Sequence, residues 1–139
     1  MRRLITESIQ LRDSGQYEAS AAIWERINAW NTAVLGPNHP LTANSLNTLG
    51  SLYFNQGLYT KATTFHASAL AIREKTLGAN SLATATSLND LGVAYGALGQ
   101  FGIAEQLLLR AQRIKENSPE ANNKNNSTTP VSYTHLRAH

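Results

Sequence analysis

The chain has 139 residues, 42% of them hydrophobic, a formal charge of +3 and no cysteine. This leaves room for one small domain, excludes a disulfide framework or a thiolate metal site, and gives too little charge to demand a nucleic-acid partner. No apolar run approaches the ~18 residues of a membrane span and no apolar segment follows Arg2 and Arg3, so a soluble, cytoplasmic protein is expected.

In residues 1–13, Leu4, Ser8 and Leu11 fall at helical spacing. Ser14-Gly15-Gln16 ends that helix, Gly15 being free to take the positive φ of a C-cap. A second helix runs from Tyr17 to about Val34, with Ile23, Trp24, Ile27 and Trp30 spaced for packing between repeats. Leu35-Gly36-Pro37-Asn38-His39-Pro40 then breaks the helix. His39 lies between prolines with no Cys, Asp or Glu near it in the chain, and reads as a turn residue rather than a ligand.

The third helix, about Leu41 to Gln56, carries Leu46, Leu49, Gly50 and Tyr53 on one stripe. The fourth, Tyr59 to Leu77, buries Ala62, Phe65, Ala69 and Ile72, with His66 as a partly buried filler. A fifth helix spans about 82–98, and after a turn at Gly99-Gln100 a sixth spans 101–116. Leu107-Leu108-Leu109 widens the apolar face of the sixth, so a further repeat, the tail or self-association with a second copy is expected to cover it. Arg110, Arg113 and Lys115 sit where cations complement a helix C-terminus. From 117 the composition turns to Asn, Ser, Thr and Pro: 117–139 reads as a disordered polar tail, and 131–139 resembles the translated end of a cloning adaptor.

Beneath these elements lies a repeat. Residues 35–76 recur at 77–118 with roughly 16 identities over ~42 positions and no gap, mostly at small and apolar residues. The same frame read backwards places a divergent, N-terminally truncated unit at 1–34, ahead of 35–76 and 77–116. Gly50 and Gly92 coincide in this frame. A helix-interior glycine costs ~1 kcal/mol relative to alanine, so its use twice at one place predicts close packing there.

The order Leu, Gly, Tyr, then Gly before an aromatic, then two alanines resembles the tetratricopeptide repeat, a helix-turn-helix unit. The period of ~42, with Leu35-Gly36-Pro37-Asn38-His39-Pro40, Leu88-Asn89-Asp90-Leu91-Gly92 and Ile72-Arg73-Glu74-Lys75, is similar to the longer variant of kinesin light chains and many bacterial repeat proteins. The resemblance implies an all-α fold, a right-handed α-solenoid of three stacked units over 1–116.

There is no Gly-rich phosphate loop, paired-carboxylate spacing, His-Glu-x-x-His or nucleophile elbow, so no enzyme, catalytic residue, cofactor or metal is expected. What remains is a concave face lined by the inner helix of each unit. If Leu46, Leu49 and Tyr53 pack inward, then Asn44, Asn47, Ser51, Phe54 and Asn55 point away, with Thr86, Asn89 and Val93 as counterparts in the third unit and Arg12 in the first. Asn47 and Asn89 share a frame position. A carboxamide there can grip an extended peptide backbone, and in the family the chain resembles, asparagines at this position contact bound peptide. Solvation, or contact between neighbouring inner helices, is the other use open to them. Removing both asparagines is expected to weaken peptide binding with stability almost unchanged. The expected function is a non-enzymatic protein-interaction module, a fragment of a larger repeat protein, that binds an extended peptide or partner segment in the groove; a structural spacer or oligomerisation array within a multidomain signalling protein is the alternative, and the neutral inner face argues against RNA.

Overall fold

The structure, a computed structural model, describes residues 2–118. Six helices follow one another: α1 (Arg2–Asp13), α2 (Tyr17–Leu35), α3 (Pro40–Asn55), α4 (Tyr59–Leu77), α5 (Leu82–Ala97) and α6 (Phe101–Asn117). They pair as three hairpins, α1 with α2, α3 with α4 and α5 with α6, and the hairpins join where α2 meets α3 and α4 meets α5. The result is the stacked all-α solenoid that the period required, because neither helix of a unit can bury its apolar stripe alone.

The repeat governs the turns. Gly15, Gly57 and Gly99 have φ of 83°, 81° and 82°, and the next residue's N–H bonds back to a carbonyl five residues earlier, as in Gln16 to Leu11, Leu58 to Tyr53 and Gln100 to Tyr95. This is a helix end that satisfies otherwise orphaned carbonyls and needs a residue tolerant of positive φ. The starts of α3 and α5 are matched too. Thr42 and Thr84 each donate a hydroxyl at 2.8 Å to the carbonyl of Gly36 or Gly78. His39 caps α3 by accepting the Leu41 N–H on Nδ1 at 3.0 Å, and its frame counterpart Ser81 caps α5 through the Thr84 N–H.

Within the second and third hairpins a large side chain stands over a glycine. A Cβ on Gly50 would lie 2.8 Å from three atoms of the His66 ring, and one on Gly92 would lie 2.9 Å from Leu108 Cγ. His66 and Leu108 share a frame position, so each glycine is the floor for the side chain above it.

Between units the device is polar. Asn31 of α2 donates to the carbonyl of Leu41 and to Ser45 Oγ, while Arg73 of α4, at the same frame position, donates to the carbonyl of Ala83 and to Ser87 Oγ. Each outer helix thus fastens the inner helix of the next unit by main-chain and hydroxyl oxygens.

Some expectations need adjustment. Trp24 packs against the cluster of Ala21, Leu49 and Leu52, whereas Trp30 is 49% exposed. Leu46 is only half-buried, whereas Leu52, outside the expected stripe, is buried. Of the three consecutive leucines, Leu107 joins the cluster of Ala85, Leu88, Ala111 and Ile114 and Leu108 covers Gly92, leaving Leu109 exposed on the same helix as the exposed Phe101 and Ile103. The basic cluster is partly spent, since Arg110 pairs with Glu74 at 2.7 Å. α6 includes Asn117, and Ser118 is buried; the rest of the expected tail, residues 119–139 with the adaptor-like end, lies outside the described residues.

Candidate functional site

The inner helices α3 and α5 lie side by side, and a cavity of about 210 Å³ opens between them, lined by Ser51, Phe54 and Asn55 of α3, His66 of α4, and Asp90 and Val93 of α5. Four of the residues expected to face a partner, Ser51, Phe54, Asn55 and Val93, therefore meet at one place. They do so because positions i, i+3 and i+4 share a helix face, and because the frame sets Val93 opposite Ser51 in the next unit.

Thr86 is exposed on α5, its hydroxyl returned to the carbonyl of Leu82. Asn89 is half-buried and, among the described residues, its carboxamide makes no in-chain hydrogen bond. Asn44 is exposed but accepts from the Arg73 guanidinium at 2.8 Å. Arg12 stands apart from the cavity at the end of α1, paired with its neighbour Asp13.

Asn47 requires a correction. It is 8% exposed and both ends of its carboxamide are engaged: one Nδ2–H donates to Asp90 Oδ2 at 3.0 Å, and Oδ1 accepts from Ser87 Oγ at 3.1 Å and from His66 Nδ1 at 2.8 Å. Its oxygen has no lone pair left for a peptide N–H, and the side chain is almost wholly shielded from solvent. Contact between neighbouring inner helices is the use the structure assigns it, because α5 of the next unit brings Ser87 and Asp90 onto it. Asn89 has the same frame position but no following unit among the described residues to consume it.

The bonds form a directed chain. Arg73 donates to Ser87 at 2.9 Å, Ser87 donates to Asn47, and Asn47 donates to Asp90. Donors all point from guanidinium to carboxylate, so each bond polarises the next and the two charges stabilise its ends. Because the Asp90 carboxylate can only accept, the Asn47 amide is fixed in orientation, and His66 must donate from Nδ1–H. His66 and Asp90 were not legible as site residues. The signal available was that Asp90 is the one charged residue on either α3 or α5, in helices otherwise wholly neutral.

His66 is 1% exposed. Burial pushes its imidazole below the ordinary range; Asp90 opposes this and the Arg73 guanidinium adds to it. The unfolded chain therefore takes up a proton on this histidine before the folded one does, and stability is lost as pH falls below about 6.5, the ordinary value, toward the depressed folded value. Chemical denaturation from pH 7.5 to 5.5 should show this loss in the wild type and a flatter profile in His66→Leu. Equal slopes would mean that the buried ring is not what titrates.

Tyr53 anchors the opposite side of α3. Its hydroxyl donates to the Glu25 carboxylate, its ring meets Phe65 edge-on with centroids 5.1 Å apart, and burial, aided by Glu25, pushes its pKa up to about 12. This contact ties unit one to unit two and leaves the Phe54 side of α3 to the groove.

Among the described residues no helix is long and apolar enough to cross a membrane. The family model for the tetratricopeptide repeat matches residues 8–66 and 43–117. No curated protein matches the chain. Among solved structures, a kinesin light chain of Podosopora anserina with nearly identical TPR-like repeats is similar at TM-score 0.76 and 24% identity, over 86% of this chain and 59% of that one. BtubC (BKLC) from P. vanneervenii is similar at TM-score 0.75 and 22% identity, over 93% of this chain and 49% of that one. The chain thus spans about half to three-fifths of the length of these structures, and at such identities the likeness is one of fold.

Proposed function

This chain belongs to the tetratricopeptide repeat family, and from that premise we propose that it is a cytoplasmic interaction module whose groove along α3 and α5 holds an extended segment of a partner protein. Repeats of this family are in general protein–protein interaction modules rather than enzymes. The observation that carries the finer reading is the cavity where Ser51, Phe54, Asn55 and Val93 converge. Phe54 supplies an apolar wall, held by a ring contact with Tyr59 at 5.0 Å, while Ser51, Asn55 and Asn89 offer hydroxyl and carboxamide groups to a peptide backbone. Asn47 is left out of this contact set and Arg12 stands outside it.

Selection of ligands from a random peptide library, followed by hydrogen exchange of the complex, tests the reading. Protection is expected on α3 and α5. Asn55→Ala/Asn89→Ala removes two bonds, each contributing ~0.5–1.5 kcal/mol net, and should weaken binding by roughly an order of magnitude while melting like the wild type. A footprint confined to the far side of α6 would favour the other reading, a spacer or oligomerisation array. One observation speaks for that second reading: Phe101, 71% exposed, together with Ile103 and Leu109 leaves apolar side chains uncovered at the last helix.

A further inference from the structure

Asp90 is the one ionised side chain on α3 and α5, and it lies in the wall of the cavity between them. One of its oxygens, Oδ2, is held by Asn47; among the described residues Oδ1 makes no in-chain hydrogen bond. The nearest cation, Arg73, is buried and directs its donors to Ala83, Ser87 and Asn44, so it forms no direct ion pair with Asp90. The carboxylate is thus oriented by the chain from Arg73 through Ser87 and Asn47, with an acceptor left over at the cavity. Phe54 and Val93 border it with apolar surface. At about 210 Å³ the cavity is smaller than the ~300–1,000 Å³ of small-molecule sites, which suits a single side chain rather than a free ligand.

An apolar wall beside one oriented anion matches a side chain with an aliphatic stem and a cationic head. We propose that this cavity is the specificity pocket for a lysine or arginine of the bound segment, its stem against Phe54 and Val93 and its head on Asp90 Oδ1. The proposal rests on the groove reading and goes beyond it by naming what the groove selects. Asn47, Ser87 and Arg73 are positioning residues in this scheme, since they act through Asp90. His66, neutral at pH 7 and donating to Asn47, places no competing charge in the pocket.

The probe is a fluorescein-labelled library of short acetylated and amidated peptides, read by fluorescence polarisation. One register position should enrich lysine or arginine. Replacing that residue by norleucine or citrulline, which keep the stem or the shape and lose the charge, should weaken binding about 10- to 100-fold. Asp90→Asn should abolish the difference between the lysine and norleucine peptides while leaving the norleucine affinity in place. Val93→Lys, at a position 43% exposed and tolerant of a polar residue, should fill the pocket with its own cation and reject the basic peptides, a second variant should Asp90→Asn disturb the fold. Peptides that protect α3 and α5 but show no basic preference, or keep it in Asp90→Asn, overturn the specificity pocket and leave the groove. Absence of any peptide bound to α3 and α5 overturns both.

Discussion

Gly50→Leu is expected to cost about 3 kcal/mol, the upper end of the range for over-packing, and to lower the melting temperature by about 10 °C. Even the first added atom, Cβ, would lie 2.8 Å from three atoms of the His66 ring. That ring is not the free end of a flexible chain: its Nδ1 is fastened to Asn47 and the residue is 1% exposed, so moving it breaks a buried hydrogen bond. Any gain in helix propensity, ~1 kcal/mol on leaving glycine, is too small to offset the displacement of a ring that also holds the polar chain to Asp90. Gly92→Leu meets Leu108 at 2.9 Å, a half-buried side chain with no polar bond to break, and the Ala104 carbonyl oxygen at 3.3 Å, and should cost less, about 2 kcal/mol. Thermal unfolding of both variants measures the difference. The double mutant Gly50→Leu/His66→Ala should be less destabilised than the sum of its parts, because removing the ring removes the clash. Equal costs at the two glycines, or strict additivity in the double mutant, would contradict the packing described here.

The pair of glycines also marks the reach of sequence reasoning. A repeated helix-interior glycine announced a close approach, and the approach is there; which atoms make it was not announced, since His66 and Leu108 lie sixteen residues along the chain and differ in chemistry. Helix ends were legible for the same reason that the repeat was: Gly15, Gly57 and Gly99 each perform one local task that only nearby residues decide. The cavity was legible as a face: helical periodicity puts Ser51, Phe54 and Asn55 on one side of α3, and the repeat frame brings Val93 of α5 to them. What a single-helix pattern could not supply was the contact between units. Asn47 reads as a surface polar residue on α3 until α5 places Ser87 and Asp90 upon it, and His39 reads as an idle turn residue until its lone pair is found on the Leu41 N–H.

Asn47→Ala is expected to destabilise the fold by about 2–4 kcal/mol, and Asn89→Ala by no more than about 0.5 kcal/mol, although the two residues occupy one position of the repeat. The first substitution leaves the Ser87 hydroxyl and the His66 Nδ1–H without their shared acceptor and takes from Asp90 the donor that orients it. A bond to a charged partner contributes ~1.5–3 kcal/mol, a neutral one about 1 kcal/mol, and buried groups left unpaired add their desolvation penalty. Asn89 has no such partners to strand. The sequence-based expectation that both alanines would be tolerated is therefore reversed at one site and kept at the other, and urea denaturation of the single mutants decides the matter. Similar midpoints would show that the Asn47 network contributes nothing, and Asp90 would then lose the support that holds it at the groove. A large loss confined to Asn47→Ala would instead mean that one frame position differs with its place in the stack: a rivet where another unit follows, and a carboxamide without such bonds on the last inner helix described, α5.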